Sequence, residues 1–154
     1  MTTTTITQDQ DAVVSEVEIA APPERVFQAL IDPKQVVEWW RNDTITMGRF
    51  ELEPRVGGRW GYETKQMVNG VSKFKVHGEV LEYDPPRLLA YTWIANLHED
   101  KTRRTVVRWE LTPVSGGTLV KLVHSGLAQE HASRRGYSTG WPGVIERLRK
   151  FVEQ

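Results

Sequence analysis

The sequence contains no cysteine and no long apolar segment, and neither sign of charge is in excess. The absence of cysteine excludes disulfide bonds and thiolate metal sites. No apolar run approaches the roughly 20 residues that a membrane-spanning helix needs, and the first residues lack the basic start and apolar stretch of a signal peptide. Twenty basic residues balance twenty acidic ones, so the net charge gives no long-range attraction for nucleic acid or anionic lipid. We therefore expect a soluble cytoplasmic protein with neither nucleic acid nor a membrane as a partner.

The length indicates a single domain. A chain of 154 residues has the size of one ordinary domain and buries about 70% of the surface that its unfolded form exposes. Residues 1–12 are rich in threonine and contain little that could be buried, so we expect a flexible tail there. Residues 13–154 contain no linker and no internal repeat, and we expect them to form one domain.

The last segment, residues 137–154, is the one long stretch whose apolar residues recur at helical spacing. Ser138 or Thr139 could cap its start, and Pro142 would lie in the first turn, where its missing N–H costs nothing. The pattern predicts a long amphipathic helix that must lay its apolar face on another element. That face carries Trp141, Val144, Ile145, Leu148, Phe151 and Val152.

One strand and two short helices are predicted near the start of the chain. Residues 13–20 alternate between two sets of side chains, as a half-buried strand does. Pro23 suits the first turn of a helix that reaches Leu30. Asp32 is expected to cap a second short helix, with Gln35 at the position that completes a capping box. Two such short helices cannot form a core alone, so we expect them to close one end of a sheet.

From residue 44 onward the sequence has the period of two that is typical of strands. Turn residues divide it into six predicted strands, at 44–53, 58–67, 72–83, 87–97, 102–112 and 117–125. One of the turns is expected at Asn69–Gly70. Consecutive strands joined by short turns form an antiparallel meander, so the fold class is α+β with the order β-α-α-β6-α.

The alternation also predicts which side chains face the long helix. Lys121, Arg108 and Glu110 cannot be buried cheaply, so we expect them to point outward. Their neighbours then face inward, and the inner face becomes rich in aromatic residues. The predicted inward set includes Trp60, Tyr62, Leu89, Tyr91, Trp93, Val107, Trp109, Leu111, Val120, Leu122 and His124.

Several motifs, in this order along the chain, resemble those of a known family. They are A-P-P-E-R-V-F-Q-A-L-I-D-P (21–33), W-W (39–40), G-G-R-W (57–60), G-E-V-L-E-Y-D-P-P-R-L (78–88), Y-T-W (91–93), G-G-T (116–118), H-S-G (124–126) and G-W (140–141). The chain resembles, over about residues 13–153, single-domain proteins similar to the C-terminal domain of the Hsp90 ATPase activator, within the wider START or Bet v 1-like group. The resemblance implies a helix-grip fold, in which a curved antiparallel sheet wraps around a long C-terminal helix and leaves a cavity between them.

Ten residues form the candidate ligand-binding site. Each could instead belong to the core, because aromatic side chains on an inner face dominate core packing whether or not a ligand exists. As a set they favour an apolar pocket with a few polar groups, which is the usual composition of a small-molecule site. The ten are Trp39, Trp40, Trp60, Tyr62, Tyr91, Trp93, Trp109, His124, Tyr137 and Trp141.

His124 is the only histidine predicted on the inner face. It could act as a general base, bind the ligand, or be a core imidazole whose hydrogen bonds are satisfied within the protein. His77 falls on the outward face, His98 at a hairpin tip and His131 in the loop before the last helix. This scatter gives no metal-ligand spacing, and we predict neither a metal nor a cofactor.

Three functions are compatible with the sequence. The first is binding of a small hydrophobic or aromatic ligand between the sheet and the last helix. The second, which the family resemblance suggests, is a reaction of the polyketide cyclase or aromatase type in the same cavity, with His124 moving protons. The third is an Hsp90-type interaction module, which we rank lowest because the chain has no segment matching the N-terminal part of that activator. A homodimer would cover the edge strand and the aromatic residues at the cavity mouth.

Overall fold

The computed structural model describes residues 2–68, 70 and 72–154. Met1, in the predicted tail, and Asn69, in the predicted Asn69–Gly70 turn, lie outside the described residues. Within them no helix is long and apolar enough to cross a membrane. The elements are β1 (Thr3–Ile6), β2 (Val13–Ile19), α1 (Pro23–Ile31), α2 (Pro33–Trp39), β3 (Met47–Leu52), β4 (Arg59–Met67), β5 (Lys73–Asp84), β6 (Leu88–Ala95), β7 (Thr105–Val114), β8 (Gly117–Ser125) and α3 (His131–Val152).

The strands form one antiparallel sheet in the order β1-β2-β8-β7-β6-β5-β4-β3. The curved sheet holds the long C-terminal helix α3, which contacts β2, β1, α1 and α2. The helix-grip fold is therefore confirmed. The six strands predicted after the short helices are all present, within three residues of their predicted ends.

The sheet has one strand more than predicted. Residues 1–12 were expected to form a flexible tail, but Thr3–Ile6 is a strand that pairs with β2, with Thr4 opposite Ser15. The hydroxyl groups of these two residues are 2.6 Å apart and share a hydrogen bond. The tail prediction is wrong here because β-branched threonines suit a strand, and because the edge of β2 offers them free backbone groups.

Asp32 joins the two short helices. Its Oδ1 accepts a hydrogen bond from the backbone N–H of Lys34 at 3.0 Å, which confirms the predicted cap of α2. The predicted capping box does not form. The backbone N–H of Asp32 donates to the carbonyl of Gln28 because Asp32 also ends α1. The Gln35 amide therefore donates to the Asp32 side chain at 2.9 Å instead of receiving a contact from its backbone.

Helix α3 begins at His131, six residues before the predicted start. The hydroxyls of Ser138 and Thr139 donate to the carbonyl of Arg135 within the helix, so neither residue is a cap. Pro142 lies in the helix interior. The pattern failed there because residues 131–136, HASRRG, carry no apolar stripe, and because Pro142 signals a helix start more often than an interior position.

The predicted inner face is confirmed. In β8 the side chains of Val120, Leu122 and His124 are buried, whereas Lys121 between them is only half-buried. The sheet bends over this face at register shifts, one of them between Val80 and Glu82. The bend brings the inner aromatic residues of β4, β6 and β7 together under α3, where Trp60, Tyr62, Tyr91, Trp93 and Trp109 are all buried.

Candidate ligand-binding site

A cavity of about 440 Å³ lies between α3, the segment that follows α2, and strands β4, β5 and β6. Its walls are mainly apolar, and one side opens to solvent beside Arg41, Asn42 and Arg147. The deep wall is formed by Tyr62 and Trp93 on the sheet and by Trp141 on α3, which are all buried. The sequence predicted a cavity in this place, between the sheet and the last helix.

The ten predicted site residues divide into two groups of five. Five line the cavity, namely Trp40, Tyr62, Trp93, Tyr137 and Trp141. The other five, Trp39, Trp60, Tyr91, Trp109 and His124, do not line it and pack behind the wall. Periodicity could place all ten on the inner face, but it could not tell the layer that touches the cavity from the layer behind it.

Trp40 joins the sheet side of the cavity to the helix side. Its ring centroid lies 5.2 Å from that of Tyr62, 6.2 Å from that of Trp93 and 5.7 Å from that of Trp141. Trp39 stacks on its other side at 5.5 Å. Such aromatic pairs contribute about 0.5–1.5 kcal/mol each beyond the area they bury. The wall is therefore a rigid aromatic cluster that α2 positions through consecutive tryptophans.

The tryptophans of the second layer are anchored by hydrogen bonds within the protein. The Trp39 indole N–H donates to the Ala29 carbonyl at 2.9 Å, and that of Trp60 donates to the Thr92 carbonyl at 2.6 Å. The Trp109 indole donates to the hydroxyl of Tyr91 at 2.9 Å. The indole N–H groups of these three tryptophans all have acceptors, and their rings do not line the cavity. Both features are typical of aromatic residues in a protein core.

His124 is fully buried and both of its ring nitrogens have partners. Its Nδ1 accepts a hydrogen bond from the Trp141 indole N–H at 3.1 Å, so the proton must be on Nε2. Nε2 then donates to the Thr105 hydroxyl at 2.9 Å, and that hydroxyl donates to the Trp93 carbonyl at 2.7 Å. Burial, together with nearby His98, holds the pKa of His124 well below its usual value of 6.5. This neutral imidazole orients a wall tryptophan.

Tyr137 anchors the end of the cavity. Its hydroxyl accepts a hydrogen bond from the Trp93 indole N–H at 2.9 Å and is also bonded to Nε2 of His98 at 2.8 Å. His98 was expected at a hairpin tip; the structure buries its side chain to 3% exposure, under α3. Burial lowers the pKa of His98, and Arg103 adds to that, while Glu130 and Asp100 oppose it.

Glu130, just before α3, holds this hairpin tip in place. Its side chain is fully buried and accepts hydrogen bonds from the backbone N–H of Glu99 at 2.7 Å and from Arg103 Nε at 2.7 Å. Burial would raise the pKa of Glu130, but hydrogen bonds from Arg103, Asp100 and Glu99 outweigh it and leave the pKa below its usual value. Sequence reasoning missed both His98 and Glu130, because a charged residue beside a turn normally lies in solvent.

Among the aromatic residues of the cavity wall, two polar groups have no hydrogen-bond partner within the described residues. The indole N–H of Trp40 and the hydroxyl of Tyr62 make no hydrogen bond there. Burial raises the pKa of Tyr62 well above 10.0, and Tyr137 and Tyr91 add to this, so its hydroxyl is neutral and can both donate and accept. The other indole donors of the wall, on Trp93 and Trp141, are already bonded. A bound molecule could therefore make hydrogen bonds at these two positions.

The remaining lining residues were not among the ten predicted site residues. They include Ile45, Met47, Val68 and Val144, and also Gly140 and Gly143 of α3. A Cβ added at either glycine would meet no atom within 4 Å. Glycines inside a helix were the signal that could have found this wall, because they cost stability unless something else requires them.

Comparisons with solved structures support the fold. Protein MLL2253 from Mesorhizobium loti is 30% identical, with a TM-score of 0.73 over 92% of this chain and 96% of that chain. A protein from Rhodobacter sphaeroides is 19% identical, with a TM-score of 0.82 over 98% of this chain and 97% of that chain. The AHSA1-like protein from Aeromonas hydrophila is 19% identical, with a TM-score of 0.74 over 92% of each chain.

No curated protein sequence matches the chain at a significant level. The family model described as activator of Hsp90 ATPase homolog 1-like protein matches residues 20–153. This match spans α1 to α3 and includes every described residue of the cavity wall. The chain therefore belongs to the family of proteins that resemble activator of Hsp90 ATPase homolog 1.

Proposed function

We propose that the protein binds a small hydrophobic or aromatic molecule in the cavity between α3 and the sheet. The observation that carries this proposal is that the Trp40 N–H and the Tyr62 hydroxyl, on a mainly apolar wall, have no hydrogen-bond partner among the described residues. Most buried side-chain polar groups have partners within the protein, so a donor or acceptor that is left without one on a cavity wall is a position where a bound molecule can make a hydrogen bond. A ligand could satisfy both groups if it carried a hydrogen-bond acceptor for the Trp40 N–H and a donor or acceptor for the Tyr62 hydroxyl.

The size and composition of the cavity fit this role. Its volume of about 440 Å³ lies within the roughly 300–1,000 Å³ that is usual for small-molecule sites. The walls supply flat aromatic faces from Trp40, Trp93 and Trp141. Planar rings or a folded acyl chain would bury most of their surface against them.

The glycines of α3 supply a second, independent argument. Gly140 and Gly143 line the cavity, and the protein itself leaves room for a side chain at both. Each glycine in a helix interior costs about 0.5–1 kcal/mol relative to alanine. A side chain at either position would take up space beside the cavity, so glycine leaves that space to a ligand.

The alternatives rank below ligand binding. The cyclase or aromatase hypothesis gave His124 a role in proton transfer, but its two ring nitrogens are occupied and it does not line the cavity. We therefore assign no catalytic residue. An Hsp90-type interaction and a homodimer stay predictions, and the test of each is direct: stimulation of the Hsp90 ATPase, and sedimentation of the purified protein.

Tryptophan fluorescence during titration with planar aromatic and acyl-chain compounds tests the proposal. We expect a saturable change with one molecule bound per chain. Trp40→Phe should reduce that change and weaken binding, because Trp40 lines the cavity together with Trp93 and Trp141. The matched control is Trp39→Phe, which alters the neighbouring ring behind the wall. A flat response across the compounds, or equal effects of the two variants, would contradict the proposal.

A further inference from the structure

The charged side chains that line the cavity, among the residues that the structure describes, are all of one sign. Among the described residues that line it, Arg41 and Arg147 are the only charged ones. Both lie at the solvent side, because Arg41 is exposed and the Arg147 side chain is 35% exposed. The deep wall is apolar, with Trp93 only 1% exposed. The cavity thus has an apolar end and a cationic end.

Neither arginine is engaged strongly by the protein. Arg41 makes no side-chain hydrogen bond or ion pair with the described residues. Arg147 Nη2 contacts Asp43 Oδ1 at 3.0 Å, but the Asp43 side chain is 97% exposed. Exposed ion pairs of this kind contribute little to stability. A ligand anion could therefore replace Asp43 at small cost.

We propose that the ligand is an amphipathic carboxylic acid, whose apolar body lies against the aromatic walls and whose carboxylate binds Arg41 and Arg147 at the mouth. This inference rests on the proposed function and adds the chemical class of the ligand. Guanidinium groups bind carboxylates through strong, charge-assisted hydrogen bonds. The chain as a whole has no net charge, so this attraction would come from the two residues and not from the overall field.

Calorimetric titration with matched acids and uncharged analogues tests the inference on the full chain. The probes are 1-naphthaleneacetate with 1-naphthaleneacetamide, and decanoate with 1-decanol. We expect each acid to bind about tenfold more tightly than its partner. Added salt should weaken binding of the acids and leave that of the uncharged probes unchanged.

Substitutions at the mouth make the test specific. Arg41→Gln and Arg147→Gln should each reduce the affinity for the acids several-fold and leave the uncharged probes unaffected. Arg135→Gln is the matched control, an exposed α3 arginine that does not line the cavity. Asp43→Asn should increase the affinity for the acids, because it frees Arg147 from a competing carboxylate.

The possible results separate this inference from the proposed function. Equal affinities for an acid and its uncharged analogue, both lost when the cavity is filled by Gly140→Leu, would overturn the carboxylate assignment and leave the proposed function intact. A preference for acids that survives both arginine substitutions would also overturn the assignment. Failure of all four probes to bind would contradict the proposed function and the inference together.

Discussion

The indole N–H of Trp141 on α3 donates a hydrogen bond to Nδ1 of His124 on β8 at 3.1 Å. This bond ties the long helix to the centre of the sheet through two buried side chains. If His124 took up a second proton, its Nδ1–H would face the Trp141 N–H, and two donors would oppose each other. The wall of the cavity therefore depends on a neutral histidine.

The first prediction concerns stability and pH. The pKa of His124 and that of His98 are lower in the folded protein than their usual value of 6.5. The unfolded chain therefore binds more protons than the folded one once the pH falls below about 6.5. The free energy of unfolding should be constant above this pH, and should fall below it by up to about 1.4 kcal/mol per pH unit for each histidine.

Urea unfolding between pH 7.5 and 5 measures this effect. The window lies above the range where carboxylates with lowered pKa values, such as Glu130, lose their contribution as the pH falls. His124→Gln should reduce the pH dependence to the part that His98 contributes, whereas His77→Gln, at an exposed position of β5, should leave it unchanged. A pH dependence that His124→Gln does not alter would contradict the role given to His124.

The second prediction compares two tyrosines of the cavity wall. Tyr137→Phe removes the hydroxyl that is bonded to Trp93 and His98, and should lower the free energy of unfolding by about 1–3 kcal/mol. Tyr62→Phe removes a hydroxyl that has no partner in the part of the chain that the structure describes, so its cost should stay within about 0.5 kcal/mol. Tyr62→Phe should instead weaken binding of hydrogen-bonding ligands. Urea unfolding and ligand titration of both variants check this, and equal destabilisation would refute the assignment.

How much of this site the sequence could reveal depends on the residue. The period of two placed Trp93, Trp109 and His124 on the inner face, because an outward Lys121 or Arg108 fixes the phase of a strand. It could not separate Trp93, which lines the cavity, from Trp109, which lies behind it. That difference arises from the bend of the sheet and the position of α3, which are set by many distant contacts at once.

Other features had no local signal. No side chain caps the start of α3 at His131, and Arg134 in its first turn instead donates to the carbonyls of Gln10, Leu127 and Ala128. Glu130 reads as a surface residue, yet it is buried because Arg103 and two backbone N–H groups from a distant hairpin converge on it. Contacts across about 30 residues of sequence have no periodic pattern, so sequence reasoning could not find them.

The third prediction concerns Glu130. Glu130→Gln keeps the shape of the side chain but removes the charge that binds Arg103 and the N–H groups of Glu99 and Asp100. We expect a loss of about 2 kcal/mol in the free energy of unfolding. The amide has one acceptor oxygen in place of two, so one of the buried N–H donors is left without a partner. Glu99→Gln, at an exposed position of the same tip, serves as the control and should cost little. If both variants lost a similar amount of unfolding free energy, the conclusion that Glu130 holds the hairpin tip would be contradicted.

The fourth prediction concerns the glycines of α3. Gly136, Gly140 and Gly143 each leave room for a Cβ, so alanine at any of them should raise the free energy of unfolding by about 0.5–1 kcal/mol. Only Gly140 and Gly143 line the cavity. Their alanine variants should bind ligand more weakly, and Gly136→Ala should bind it normally. Thermal unfolding with ligand titration tests this, and the account fails if all three variants bind alike.

The most direct test of the central claim, that the cavity holds the ligand, is calorimetric titration of a variant in which the cavity is filled. Gly140→Leu places a branched side chain where a Cβ meets no atom within 4 Å, so the chain should fold and the cavity should be occupied. Gly136→Leu, one turn earlier on α3 at an equally exposed glycine that does not line the cavity, is the matched control. We expect Gly140→Leu to lose binding and Gly136→Leu to retain it. Unchanged binding by a folded Gly140→Leu protein would show that the ligand binds elsewhere.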